Sequence, residues 1–198
     1  MMSERCNPSV VGIIGAMEIE VANLIQNLRE QSTKSYGGIS FVQGKINDKD
    51  VVVAKCGMGK VNAAMCAQIM LLMYSPVVVI NIGVAGSLSQ RVQVGDIVIA
   101  TDSVQHDFDL TPIGFEKGFI HEHGNVFLPC PKGVVEKLES AAQKQGSKYY
   151  TGTIATGDQF INSNDEKKAI LDEFNAIACE MEGASIAHIC DLNNGIIP

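Results

Sequence analysis

The chain has 198 residues, 46% of them hydrophobic and 19% charged, and a formal net charge of −7 at neutral pH. That balance belongs to a soluble globular protein with one sizeable core, and its acidity favours a small molecule over a nucleic-acid backbone as partner. No apolar run reaches the roughly 20 residues that span a bilayer, and no signal-peptide core precedes the first apolar segment, so the expected location is intracellular, the cytoplasm, with no membrane partner. Six cysteines (Cys6, Cys56, Cys66, Cys130, Cys179 and Cys190) lack any C-x-x-C spacing. They read as buried reduced thiols, not as a disulfide frame or a zinc site.

In chain order, Val10-Val11-Gly12-Ile13-Ile14-Gly15 reads as a buried strand, and Val21, Leu24, Ile25 and Leu28 then repeat at helical spacing. Residues 41–46 run through Asn47-Asp48-Lys49-Asp50 into 51–56, the pattern of a hairpin. Residues 61–74 are rich in Ala, Met and Leu and nearly free of charge, which predicts a helix buried on more than one face. A strand at 77–82 follows, making a strand-helix-strand crossover. Next come a strand at 95–100, a loop over about 103–131, a helix at 134–145, a strand at 150–156 and a helix at 184–191. After the turn Asn193-Asn194-Gly195, Ile196-Ile197-Pro198 reads as the start of a buried strand that the sequence does not complete. The expected fold is α/β: one domain over residues 1–198, C-terminally incomplete, with a mixed, largely parallel sheet flanked by helices.

Two acidic clusters fall where such a fold places chemistry. Glu18 and Glu20 follow the first strand at its carboxyl end, where open α/β sheets bind ligands, and they equally fit first-turn acids favoured by the helix dipole. Glu180-Met181-Glu182-Gly183-Ala184-Ser185 opens the last helix. Gly57-Met58-Gly59-Lys60 joins a strand to a helix and can present N–H groups to an anion, but lacks the spacing of a Walker loop or a dinucleotide fingerprint. Asn81-Ile82-Gly83-Val84-Ala85-Gly86 reads either as a tight turn or as a site of close ligand approach. His106-Asp107-Phe108-Asp109 and His121-Glu122-His123 have metal-ligand residue types without metal-ligand spacing, and read as loop polar residues. Phe160, after the 150–156 strand, fits a ring-stacking residue and ordinary core alike.

Taken in order, seven segments resemble one family. Gly12-Ile13-Ile14-Gly15-Ala16-Met17-Glu18-x-Glu20, Gly57-x-Gly59-Lys60-Val61-Asn62-Ala63-Ala64, Asn81-x-Gly83-x-Ala85-Gly86, Gly95-Asp96-Ile97-Val98, His106-Asp107-x-Asp109-x-Thr111, Thr156-Gly157-Asp158-x-Phe160-Ile161 and Glu180-Met181-Glu182-Gly183-Ala184 are similar to the bacterial 5′-methylthioadenosine/S-adenosylhomocysteine nucleosidases. The resemblance implies a nucleoside phosphorylase-like fold, a homodimer, a purine nucleoside substrate, no metal or organic cofactor, and hydrolysis of the N-glycosidic bond with release of adenine in methionine salvage. It implies that Glu20 is the base that activates water. Glu182 with Met181 would hold the ribose, and Glu180, Ala85 and Gly86 would also bind the substrate. Phe160 would stack on adenine while the Ile161 backbone reads its edge, and Met17, Met58, Leu110, Ile113 and Phe115 would line the pocket for the 5′-alkylthio group. Oxocarbenium-like cleavage needs these separate groups.

The sequence departs from the family in three places. The family's leaving-group acid is an aspartate in an Arg-x-x-Ser-Asp segment on a strand after position 198. A serine often found near the attacking water aligns with Val84, and the loop that usually reads Gly-Gln-x-Pro is Gly118-Phe119-Ile120-His121. The competing readings are a superfamily phosphorylase, a futalosine-type hydrolase, and a non-catalytic nucleoside-binding relic.

Overall fold

The computed structural model describes residues 10–193. Cys6 and the strand expected to begin at Ile196 lie outside them.

The first strand, β1 (Val11–Gly15), lies second from one edge of a five-stranded ladder. It pairs in parallel with β4 (Lys49–Lys55) on one side and with β5 (Val78–Asn81) on the other. β2 (Arg29–Tyr36), β3 (Ile39–Ile46) and β4 form an antiparallel meander. Its two hairpins turn on pairs of positive-φ residues, Gly37-Gly38 at 57° and 80° and Asn47-Asp48 at 47° and 63°. Two consecutive left-handed residues match the twist of the flanking strands, which is why glycine, asparagine and aspartate stand there.

A second ladder, also of five strands, contains β6 (Gly86–Ser87), β10 (Ala178–Glu180), β9 (Tyr149–Thr156), β7 (Ile97–Gln105) and β8 (Leu128–Pro129), in that spatial order. β10, β9 and β7 run parallel. The mixed sheet expected from the sequence is thus present as two hydrogen-bonded ladders: the first is antiparallel over β2, β3 and β4 and parallel over β4, β1 and β5, and the second has a parallel centre with an antiparallel strand at each edge. The strand expected to stop at 100 runs on to Gln105, so the start of the expected loop is buried sheet. Within that loop β8 also pairs with Asp102 and Ser103.

Among the described residues, five helices flank the ladders: α1 (Glu18–Asn27), α2 (Lys60–Tyr74), α3 (Lys132–Lys144), α4 (Asn164–Phe174) and α5 (Gly183–Leu192). α5 leaves the second ladder and packs against α2 of the first. Cys66, Ala67 and Met70 share one core with Ile186, Cys190, Ile14 and Phe41. This joint fixes the carboxyl ends of β1, β4 and β10 in one region. A cleft of about 430 Å3 opens between residues 79–83, residues 97–100 and helices α3 and α5, with a largely apolar lining. Among the described residues, no helix is long and apolar enough to cross a membrane.

Phe41 is fully buried, its ring 6.1 Å from that of Tyr36 and 5.6 Å from that of Tyr74. Replacing it with alanine should cost about 3–5 kcal/mol, because the lost contacts leave a cavity between β3 and α2. Denaturant unfolding of Phe41→Ala against the parent chain measures this directly.

Candidate active site

The acids at the start of α1 separate by one turn geometry. Glu18 points outward and pairs with Lys55 at 3.2 Å on the surface. Glu20, in the third position of the helix, turns back. One oxygen accepts the Met17 N–H at 2.8 Å and the other accepts the Val84 N–H at 3.0 Å, from the turn that follows β5. Glu20 therefore both caps its own helix and reaches across the end of the sheet. The approach requires a glycine: a Cβ on Gly83 would stand 2.7 Å from the same Glu20 oxygen. Val84, whose side chain is exposed, serves through its backbone where the family often has a serine.

The β10–α5 turn is built around Glu180. Its carboxylate accepts hydrogen bonds from the Glu182 N–H at 2.8 Å, the Gly183 N–H at 2.7 Å, the Asn81 amide at 3.3 Å and the Thr156 hydroxyl. Thr156 Oγ1 in turn accepts the Ala184 N–H at 2.8 Å. Both Glu180 oxygens are thus engaged by the protein, and the residue braces the turn. Burial pushes its carboxyl up from the ordinary range, against the hydrogen bonds that favour the charged form.

Glu182 stands at the N-cap position of α5, with its side chain turned away from the helix, and is 8% exposed. One of its oxygens accepts the Gly59 N–H at 2.6 Å. Its carboxyl is also pushed up, first by burial and then by the charges of Glu180 and Glu20, which outweigh the Gly59 bond. The same three carboxylates surround Cys56. Its thiol is pushed up to about 12, chiefly by burial and then by Glu182, and its Sγ–H donates to the Gly57 carbonyl at 3.0 Å. At neutral pH Cys56 is a neutral thiol, not a nucleophile.

Gly57 and Gly59 have φ of 88° and 94°, which turn the chain from β4 into α2. The turn does present N–H groups to anions, and the anions are the protein's own. Gly59 serves Glu182, and the Lys60 N–H donates to Asp158 Oδ1 at 2.7 Å.

Of the other residues singled out in the sequence, Met17 is half-buried against the α2–α5 core. Met58 and Ile113 are exposed, and Phe160 is 85% exposed, which removes the core reading of its ring. Ile161 packs partly into the second core, Met181 is half-buried between the two acids, and Ala85 and Gly86 lie exposed on the turn beside Glu20. Leu110, Ile113 and Phe115 stand on a separate segment around a 3₁₀ turn, Thr111–Ile113, and Phe115 stacks on Phe119 at 5.0 Å. His123 bonds Asp191 at 2.6 Å, and His106 is buried. The bracing roles of Thr156 and Asn81 were missed in the sequence, although both lie inside the quoted motifs.

This combination, a mixed α/β fold with three carboxylates and two glycine turns gathered at the carboxyl ends of its parallel strands, is that of a nucleoside-processing α/β enzyme. The sequence model of the phosphorylase superfamily matches residues 10–198. A 5′-methylthioadenosine/S-adenosylhomocysteine nucleosidase of Shewanella halifaxensis is 40% identical over 181 residues, covering 91% of this chain and 79% of that protein. The crystal structure of the Neisseria meningitidis nucleosidase of the same name, in complex with methylthio-immucillin-A, superposes with a TM-score of 0.90 at 33% identity, covering 93% of this chain and 80% of the other. The futalosine hydrolase of Helicobacter pylori strain 26695 gives a TM-score of 0.90 at 32% identity, covering 96% and 81%. The chain belongs to the 5′-methylthioadenosine/S-adenosylhomocysteine nucleosidase family of the phosphorylase superfamily.

The raised Glu182 carboxyl gives a pH-dependent signature. The folded protein holds that proton more tightly than the unfolded chain, whose value is near 4.5, so the charge costs stability increasingly as pH rises above 4.5. Glu182→Gln removes the charge and keeps an oxygen for Gly59. The variant should melt above the parent at pH 7.5, and the difference should shrink as pH falls to 4.5, as read by thermal unfolding across that range.

Proposed function

We propose that this protein is a single-domain hydrolase that cleaves the N-glycosidic bond of 5′-methylthioadenosine and S-adenosylhomocysteine and releases adenine. The observation that carries hydrolysis over phosphorolysis is the occupancy of the anion-ready N–H groups. Gly59, Lys60 and Val84 donate to Glu182, Asp158 and Glu20, so the places where backbone amides would cradle a phosphate already hold carboxylates. A phosphate beside them would meet like charge at close range. Water meets no such penalty, and Glu20 is there to take its proton.

In this reading Glu20 accepts a proton from water as the water oxygen bonds to C1′ and the C1′–N9 electron pair leaves with the purine. Glu182, with Met181, accepts hydrogen bonds from the ribose hydroxyls, and its negative charge stabilises the oxocarbenium-like sugar. Phe160 has a free face for adenine, and the Ile161 backbone reads the adenine edge. Met17 and Met58, with Leu110, Ile113 and Phe115, take the 5′-alkylthio group, the thioethers adapting to a variable substituent. Glu180 holds the turn that carries Glu182, a supporting role. The donor of a proton to the purine is assigned to none of the described residues: Asp158 is bonded to Lys60 and Asp191 to His123. The reading carries a homodimer, supported by the exposed apolar side chains Val61, Met65 and Leu72 along α2, and with it a place in the cytoplasm and in methionine salvage. A futalosine-type substrate is the second reading, favoured by the equal structural likeness to that hydrolase.

Adenine release from methylthioadenosine without added phosphate or metal tests the proposal, with futalosine and S-adenosylhomocysteine run in parallel. Strict dependence on phosphate would move the protein to the phosphorylases, and release of no base from any of them would favour the binding relic. Glu20→Gln should lower kcat on the order of 10²-fold or more, since an amide cannot take the proton. Gly83→Ala should lower kcat by about 10²-fold and cost about 1 kcal/mol of stability, because the new methyl displaces the Glu20 carboxylate from its working position and from the N–H groups it caps.

A further inference from the structure

An α-helix leaves the N–H groups of its first turn without partners inside the helix, and where that end is buried each must find an acceptor elsewhere. At the start of α5 all of them are accounted for. The N–H groups of Glu182 and Gly183 go to Glu180 Oε2 at 2.8 and 2.7 Å, and that of Ala184 goes to Thr156 Oγ1 at 2.8 Å. The Ser185 N–H closes a tight turn onto the Glu182 carbonyl at 3.0 Å.

Ordinarily the residue at the N-cap supplies the acceptor, its side-chain oxygen turning back onto the second or third N–H of the helix. Glu182 stands at that position and makes no such bond; its carboxylate reaches away from the helix to the Gly59 N–H at 2.6 Å. The acceptors come instead from two neighbouring strands. Thr156 ends β9, Glu180 ends β10, and the two residues are partners in the ladder. The Ala184 N–H can only donate, so Thr156 Oγ1 accepts there and its single proton goes to Glu180 Oε1. One fully buried hydroxyl thus holds both the helix end and the carboxylate that braces the turn. Valine has the same shape and the same preference for a strand, and lacks only the oxygen.

The exchange of caps matters because Glu182 is held where its charge is costly. Burial and the charges of Glu180 and Glu20 push its carboxyl up, whereas the first turn of a helix favours a negative charge. A vacant Ala184 N–H would offer it that turn. We propose that Thr156 is a positioning residue: by capping α5 from the neighbouring strand it denies Glu182 its own helix, and so keeps the Glu182 carboxylate turned toward the ribose. The inference rests on the function proposed above for what Glu182 holds, and on geometry alone for the cap.

Thr156→Val removes the oxygen and keeps the shape, while Thr156→Ser keeps the oxygen and removes the methyl. The first readout is stability at pH 7.5. The gain in melting temperature from Glu182→Gln should be about 2–4 °C smaller in the Thr156→Val background than in the parent, because the charged carboxylate there has the Ala184 N–H to accept, a shift of the size that one cap is worth. The second is the ratio of kcat/KM for methylthioadenosine over its 2′-deoxy counterpart, which should fall about tenfold in Thr156→Val, through KM more than kcat. Thr156→Ser should restore both. The proposal requires the two changes together: a fallen ratio with the Glu182→Gln gain intact, a lost gain with the ratio intact, or a loss that serine does not restore each overturns it. Should Thr156→Val fail to fold, Thr156→Ala takes its place in both measurements. Failure of the parent chain to release adenine from either nucleoside would sink the proposed function instead, and the stability readout would still decide the cap.

Discussion

Glu20, Glu180 and Glu182 are crowded into one region and held by backbone N–H groups, an amide and a hydroxyl. Among the described residues, none of them takes part in an ion pair with lysine, arginine or histidine. A cation would neutralise the carboxylates and satisfy them at once. Amide dipoles fix their positions and leave the net negative charge in place, which is what a site facing a developing positive charge requires. The rest of the structure follows from supplying those amides. The turn after β4 supplies Gly59, the turn after β5 supplies Val84, and the start of α5 supplies Gly183, so three chain segments must converge at one end of the sheet.

That convergence depends on α5 lying against α2. Small side chains on α2, Ala63, Cys66 and Ala67, allow the two helices to share one core with β1 and β4. Glu182 immediately precedes α5 and bonds the residue that precedes α2, so the helix contact and the carboxylate contact reinforce each other. A shift of either helix moves an acid, not only a packing surface.

The parallel centre of the fold was legible because its strands are short β-branched runs, as at 11–15, 51–56 and 77–82, and because α2 is apolar on most faces. Elements whose signal is not hydrophobic were not read. β2 is polar along nearly its whole length, and β10 is three residues long. α4 shows few apolar residues, and the available signal was its capping box, with Ser163 and Glu166 bonded to each other across the first turn. At the site, Glu20 and Glu182 could be named from their motifs, but the difference between Glu18 and Glu20, or between Glu180 and Glu182, is a matter of which way a side chain turns. Lys60 Nζ donates to Asp107, the Asp158 N–H to Asp107 and the Lys60 N–H to Asp158 across 47, 51 and 98 positions, and no local pattern encodes such pairs.

The first ladder has two borders of opposite character. At one, β2 presents Arg29, Glu30, Gln31, Ser32, Thr33, Lys34 and Ser35, nearly all exposed, with a register irregularity between Arg29 and Ser32. Charged side chains and a broken register make a poor template for a stray strand from another molecule. At the other, β5 is short and apolar, and the cleft beside it is roofed by α3 and α5. The sticky border is thus the sheltered one, and the border open to solvent is the one least able to recruit neighbours. The polar ribbon of β2 is what this sheet shows to solvent, while the apolar border of β5 faces a cleft beneath helices α3 and α5.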